Sequence, residues 1–241
     1  LQQLTPQSVW KHFHSLTRIP RPTGQMEEVT RLVMAFGKAL SLQTFQDRVG
    51  NVLIRKPATK GYESAKTVIL QSHLDMVPQK NADVSHDFAK DSIQAYIDGE
   101  WVKARATTLG ADNGIGCAMM MAVLEDETLE HPAIEALFTV DEEVGMDGAN
   151  GLEKGFLQGS LMLNLDTEED GELCIGCAGG RDVNVSFRYK PVEEIEKGDI
   201  AFKVSLRGLK GGHSGVQIHL GRANANKLMN RFLKEVVSNY E

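Results

Sequence analysis

Apolar residues recur at helical spacing in two stretches near the N-terminus. Val9, Phe13 and Leu16 follow Thr5-Pro6, where a hydroxyl cap and a proline at the first helical position predict a helix start. Met26, Val29, Val33, Phe36 and Leu40 form a second stripe over residues 24–40, the pattern of a helix that buries one face in a core. Residues 52–54 and 67–70 read as strands, and Tyr96-Ile97-Asp98-Gly99-Glu100-Trp101 reads as a hairpin turning on Asp-Gly. Residues 113–124, rich in alanine and methionine, predict a helix preceded by Asp112. Residues 134–140 and 161–165 are mostly apolar runs, the pattern of strands buried on both faces. Strands alternating with helices predict an α/β fold with a mixed, largely parallel sheet flanked by helices.

The texture changes near residues 183–190, and the charged connection over 191–199 predicts a domain boundary at 188–189. Beyond it the pattern offers one strand, 201–206, a glycine-rich loop, 208–215, and one helix, 223–237. One strand and one helix cannot bury a core, so residues 189–241 read as the start of a smaller α+β domain.

Composition narrows the function. The chain has 241 residues, 41% of them hydrophobic and 24% charged, which is ordinary for a globular domain able to bury a sizeable core. A formal charge of -7 without a lysine or arginine run argues against a nucleic-acid surface, whose footprint is a basic patch. No stretch reaches the roughly 18 to 20 uninterrupted apolar residues of a membrane span, and the N-terminus lacks the layout of a signal peptide. Three cysteines, Cys117, Cys174 and Cys177, are too few for a disulfide framework. These features predict a cytoplasmic protein.

Four segments that end predicted strands or begin a helix carry acidic or imidazole groups. They are Ser72-His73-Leu74-Asp75, Gly110-Ala111-Asp112-Asn113-Gly114, Asp141-Glu142-Glu143-Val144-Gly145 and Asn164-Leu165-Asp166. In open α/β sheets ligands gather outside the carboxyl ends of the strands, so segments distant in sequence are expected to converge there. Each has a plainer reading when taken alone. His73 and Asp75 make a histidine satisfied by a neighbouring carboxylate, Asp112 is a helix cap, and Glu142-Glu143 is a solvated turn. Asp166 resists such a reading, because a carboxylate after a run of mostly apolar residues is costly without a counter-ion. Together they supply one histidine and several carboxylates, the donor set for a pair of zinc or manganese ions about 3.5 to 4 Å apart. Adjacent glutamates suit a division of labour in which one binds metal and the other moves a proton.

Ser72-His73-Leu74-Asp75-Met76-Val77-Pro78-Gln79-Lys80-Asn81 and Thr107-Thr108-Leu109-Gly110-Ala111-Asp112-Asn113-Gly114 resemble motifs of the co-catalytic zinc aminopeptidase, carboxypeptidase and deacylase superfamily that includes the carnosinases. The likeness is strongest to its aminoacyl-histidine dipeptidase (peptidase D) subgroup. Cys174-Ile175-Gly176-Cys177-Ala178-Gly179-Gly180 resembles the same subgroup, so this cysteine pair reads as strand and turn rather than as a redox or zinc site. The resemblance implies two Zn²⁺, with manganese or cobalt as substitutes. It implies that His73 and Asp166 bind one ion, Glu143 the other, and Asp112 both, with Asp75 steering His73 and Glu142 as general base. A cis peptide is implied after Asp112. Gly211-Gly212-His213-Ser214-Gly215 resembles the motif whose histidine reaches the partner subunit's active site, where His213 would stabilise an oxyanion.

In these terms residues 1–188 are a zinc-peptidase catalytic domain in its N-terminal part, and 189–241 the incomplete start of a lid and dimerisation domain. The second ion's histidine would lie nearer the C-terminus of a longer chain. The expected function is metal-dependent hydrolysis of dipeptides, of Xaa-His type, by a homodimer when full length. N-acyl amino acid deacylation is the neighbouring alternative. A non-catalytic metal-binding or dimerisation module is the alternative of a different class, and Glu142 speaks against it, since such a module has no use for a general base.

Overall fold

In the computed structural model, described over residues 1–167, 169–176, 183–190, 198–212 and 217–240, alternate residues of single strands enter opposite cores. Val52 and Ile54 join Phe13, Leu16, Val29, Val33, Met120 and Phe138 on one face, while Leu53 joins Ile69 and Leu137 on the other, against Leu152, Phe156 and Leu157. Side chains of a strand point alternately to its two faces, so a strand covered on both is mostly apolar, and a buried carboxylate such as Glu135 needs partners, here Arg55 and the Gln158 and Gly159 N–H groups. That accounts for the run at 134–140.

The strands are β1 (Gln43–Gln46), β2 (Val52–Lys56), β3 (Val68–His73), β4 (Ala95–Asp98), β5 (Trp101–Ala104), β6 (Ile134–Thr139) and β7 (Leu161–Asn164). The main sheet has the order β1-β2-β6-β3-β7. β3 runs parallel to both β6 and β7, whereas β2 is antiparallel to β1 and to β6. The sheet is thus mixed, with its parallel part where the candidate residues lie. β6 is buried at every position.

The helices are α1 (Gln7–Thr17), α2 (Glu27–Ala39), α3 (Ala111–Glu125), α4 (Asp147–Asn150) and α5 (Ala225–Asn239). Phe13 and Leu16 of α1, Val29 and Val33 of α2, and Cys117, Met120 and Met121 of α3 belong to the larger of the two cores. No helix among the described residues is long and apolar enough to cross a membrane.

Several elements differ from the pattern-based expectation. Pro6, expected inside α1, is instead its extended N-cap and supplies no side-chain cap. The hairpin closes on the Asp98–Trp101 pair, so its loop is Gly99-Glu100, with Gly99 at φ 62°. A glycine with positive φ at the first loop position is what a tight two-residue hairpin of this kind requires. β1 was not signalled, because a short edge strand with mostly exposed side chains carries no apolar alternation. β7 is exposed at all four positions rather than buried on both faces, since it stands at the sheet's edge.

The chain divides into two compact units, Leu1–Cys177 and Ala178–Glu241. In the second, residues 201–206 do not form the expected strand. A strand exists through hydrogen bonds to a neighbour, and among the described residues none pairs with this segment. Helix α5 does form, with the Asn224 side chain accepting a hydrogen bond from the Lys227 N–H at 3.0 Å. Leu173–Gly176 lies outside any strand, and Cys177–Gly180 falls outside the described residues.

Phe138 is fully buried on the central strand β6. Phe138→Ala should cost about 3 to 5 kcal/mol in urea unfolding, the usual loss for a buried aromatic. A cost below about 1 kcal/mol would mean that this face of the sheet is not the packed core described.

Candidate metal centre

Three adjacent parallel strands deliver their carboxyl ends to one place. β3 ends in His73, β6 runs on into Asp141-Glu142-Glu143, and β7 runs on into Leu165-Asp166. Asp112 joins them from the start of α3. That start is irregular: Gly110 is left-handed at φ 71°, Asp112 and Asn113 depart from helical angles, and the Asp112–Asn113 peptide is cis, as the resemblance implied. The N-cap of the helix is thus Gly110 rather than Asp112. The Asp112 carboxylate instead meets His73.

His73 is buried at the centre. Its Nε2 lies 2.9 Å from Asp112 Oδ1, 3.7 Å from Asp166 Oδ2 and 3.9 Å from Glu142 Oε2. Its Nδ1 lies 3.1 Å from the Asp75 carbonyl oxygen and 3.3 Å from Asp75 Oδ1. His73, Asp112 and Glu143 each present a ligand atom within 4.8 Å of the others, and so do His73, Glu142 and Asp166. Six of the seven residues singled out in the sequence, all but His213, thus meet at one end of the sheet. His213 lies outside the described residues.

Asp75 does more than face the imidazole. Its two carboxylate oxygens accept hydrogen bonds from the backbone N–H of Glu142 at 3.0 Å and of Glu143 at 3.1 Å, and from the Thr23 hydroxyl at 2.9 Å. A carboxylate two residues beyond β3 therefore holds the glutamate-bearing turn in place. Buried Asn51 supports the same turn, accepting from the Val140 N–H at 3.1 Å and donating to the Gly148 carbonyl at 2.8 Å. Neither Thr23 nor Asn51 stood out in the sequence, because single polar residues in loops carry no periodic signal.

The electrostatics follow from this crowding. Burial disfavours the His73 cation, yet hydrogen bonds to Asp112 and Asp75 and the nearby Asp166 overcome it and push its pKa up to about 10. Burial would raise Asp75, but His73, the two backbone N–H groups and Thr23 hold it down at about 2. Glu143 is pushed up to about 7 by burial and the charge of Asp112, and Asp166 to about 6 by burial with Asp112 and Glu142 acting in the same direction. Carboxylates whose proton affinity is raised by burial and then by neighbouring carboxylates form a site short of positive charge. Imidazole and carboxylate donors are also the types that hold zinc and similar divalent cations, so the residues fit such an ion.

The model of peptidase family M20/M25/M40 matches residues 69–222. The chain belongs to this family. It is 53% identical over 233 residues to the cytosol non-specific dipeptidase of Escherichia coli (strain K12), covering 97% of this chain and 48% of the relative. The structure of aminoacylhistidine dipeptidase from Vibrio alginolyticus superposes with a TM-score of 0.73 at 44% identity, over 96% of this chain and 47% of that one. Aminopeptidase PepT from Bacillus cereus ATCC 10987 shares the fold at a TM-score of 0.59 and 23% identity, over 69% of this chain and 44% of that one. The chain thus spans about half the length of these relatives.

A cation held by His73, Glu143 and Asp166 would have to displace their protons, because only the deprotonated forms are ligands. Zinc affinity should therefore rise with pH from about 5 to 8, and binding should release more protons at about pH 6 than at about pH 8. Calorimetry in buffers of different ionisation enthalpy reads this directly. Zinc binding without proton release would contradict the ligand set.

Proposed function

We propose that the protein is a metallodipeptidase that hydrolyses a peptide bond at this centre. One observation carries the reading: a single buried imidazole and four further carboxylates, from Asp112, Glu142, Glu143 and Asp166, converge where three parallel strands end, in a chain of the M20/M25/M40 family. His73 and Asp166 would hold one divalent ion, Glu143 the other, and Asp112 both. Zinc is the expected metal, with manganese or cobalt as substitutes. When bound, such ions supply Lewis acidity to a carbonyl oxygen and lower the pKa of a water towards about 7.

The remaining work falls to the chain's own groups. Glu142 accepts the proton of the attacking water and hands it to the amine as the peptide bond breaks, so that nitrogen leaves neutral. Asp75 orients the His73 ring from the Nδ1 side, leaving Nε2 turned towards the ligand carboxylates. By holding the N–H groups of both Glu142 and Glu143, Asp75 also fixes the spacing between proton carrier and ligand. His213 would stabilise the oxyanion from the partner subunit of a homodimer, an assignment that rests on the glycine-rich motif around it.

Dipeptides are favoured as substrates by the likeness to the Escherichia coli dipeptidase and to the Vibrio aminoacylhistidine dipeptidase, the second of which points to a C-terminal histidine. A panel of free dipeptides and N-acyl amino acids separates this reading from deacylation. Turnover of the acyl compounds alone would overturn it.

Glu142→Gln in the whole protein should lower turnover by about 10² to 10⁴ while leaving the metal content unchanged, the range expected for loss of a general base. Loss of metal in this variant would make Glu142 a ligand instead.

A further inference from the structure

Arg21 is the only lysine or arginine buried among the described residues, at 2% exposed. Its guanidinium is spent on backbone carbonyls. Nη1 donates to Leu74 O at 2.9 Å and to Asp75 O at 3.3 Å, and Nη2 donates to Gly110 O at 2.5 Å. The first two carbonyls follow His73 at the end of β3, and the third lies two residues before Asp112. The backbone of Arg21 is fixed to the same region, its carbonyl accepting from the Met76 N–H at 3.1 Å. The Gly110–Gly114 segment bends closely round the guanidinium. A Cβ at Gly110 would stand 2.5 Å from Nη2, and one at Gly114 2.6 Å from it.

This arrangement costs more than packing alone requires. Nε has no hydrogen-bond partner among the described residues, and a buried cation with an unmet N–H is unfavourable where an apolar side chain would avoid both penalties. What the guanidinium provides is a rigid fork that reaches two segments at once, which a lysine ammonium lacks.

We propose that Arg21 is a positioning residue for the metal centre, fixing the separation of His73 and Asp112 by clamping the carbonyls beside each. Its charge also attracts the carboxylates of Asp75 and Asp112. The inference rests on the metallopeptidase reading above. Groups that orient metal ligands without touching the ion are typically worth about 10- to 100-fold in affinity.

The test uses Arg21→Lys and Arg21→Met in the whole protein. Zinc affinity is measured by chelator competition, the visible absorption of the cobalt-loaded protein by spectroscopy, and folding by circular dichroism. Expected are folded variants whose zinc affinity falls by about 10- to 100-fold, with a shifted cobalt spectrum, and with Arg21→Lys between the parent and Arg21→Met. Where Arg21→Met fails to fold, Arg21→Lys decides alone. Parental affinity and spectrum in a folded variant would overturn the role of Arg21. Failure of both variants to fold even with zinc would overturn it too, by making Arg21 a requirement of the fold as a whole. A parent protein that takes up no divalent ion would instead sink the metallopeptidase reading.

Discussion

The crowding of Asp112, Glu142, Glu143 and Asp166 round one imidazole is the constraint on which the rest of this structure depends. At an effective dielectric near 20, two unit charges about 4 Å apart interact by about 4 kcal/mol, so such a cluster opposes the fold that assembles it. The chain meets this with protons on Glu143 and Asp166, a protonated His73, and hydrogen bonds that satisfy Asp75 completely enough to keep it ionised. Each offsets negative charge that the buried Arg21 guanidinium, spent on backbone carbonyls, leaves in excess. A cation does the same with one group, which is why the donor set reads as a metal centre rather than as a surface acidic patch.

The sheet makes that crowding affordable. β6 and β3 lie inside it, with apolar side chains packed on both faces, and the carboxyl ends of β6, β3 and β7 are neighbours because of the order in which the strands pair. Burial along the strands provides the stabilisation, and the ends bear the repulsion. A fold that placed these residues on one flexible loop would have no such reserve.

Much of this was legible in the sequence, for reasons that differ by element. The run at 134–140 announces β6 because a two-faced strand is apolar at most positions, with Glu135 held by Arg55 at 2.8 Å, and the stripes of α1 and α2 announce helices covering one face. The acidic segments stood out because carboxylates directly after apolar runs need an explanation. Arg21 did not, since its role exists only through carbonyls 53 and 89 residues further along the chain. β1 and β7 were misread or missed because edge strands are specified by their neighbours more than by their own side chains. The segment 201–206 shows the same dependence: its apolar alternation is that of a strand, and with no neighbour bonded to it among the described residues it forms none.

The glycines of the Gly110–Gly116 segment show how a motif and a remote residue specify each other. Gly110 needs positive φ, and both Gly110 and Gly114 must lack a Cβ because the Arg21 guanidinium occupies that space. A Cβ at Gly116 would collide with the side chains of Asn113 and Ser72, the residues beside Asp112 and His73. The glycines thus allow α3 to begin against β3 closely enough for Asp112 to reach Nε2 of His73 at 2.9 Å. Asp75 links the same histidine to the glutamate turn, so the proposed ligands, proton carrier and orienting groups are parts of one hydrogen-bonded body rather than independent contributors. Substitutions within it will not act additively, because removing Asp75 disturbs the His73 ring and the Glu142-Glu143 backbone together. The role of any one of these residues is therefore best read from metal affinity and turnover measured side by side, since a lost ligand lowers both and a lost proton carrier lowers only the second.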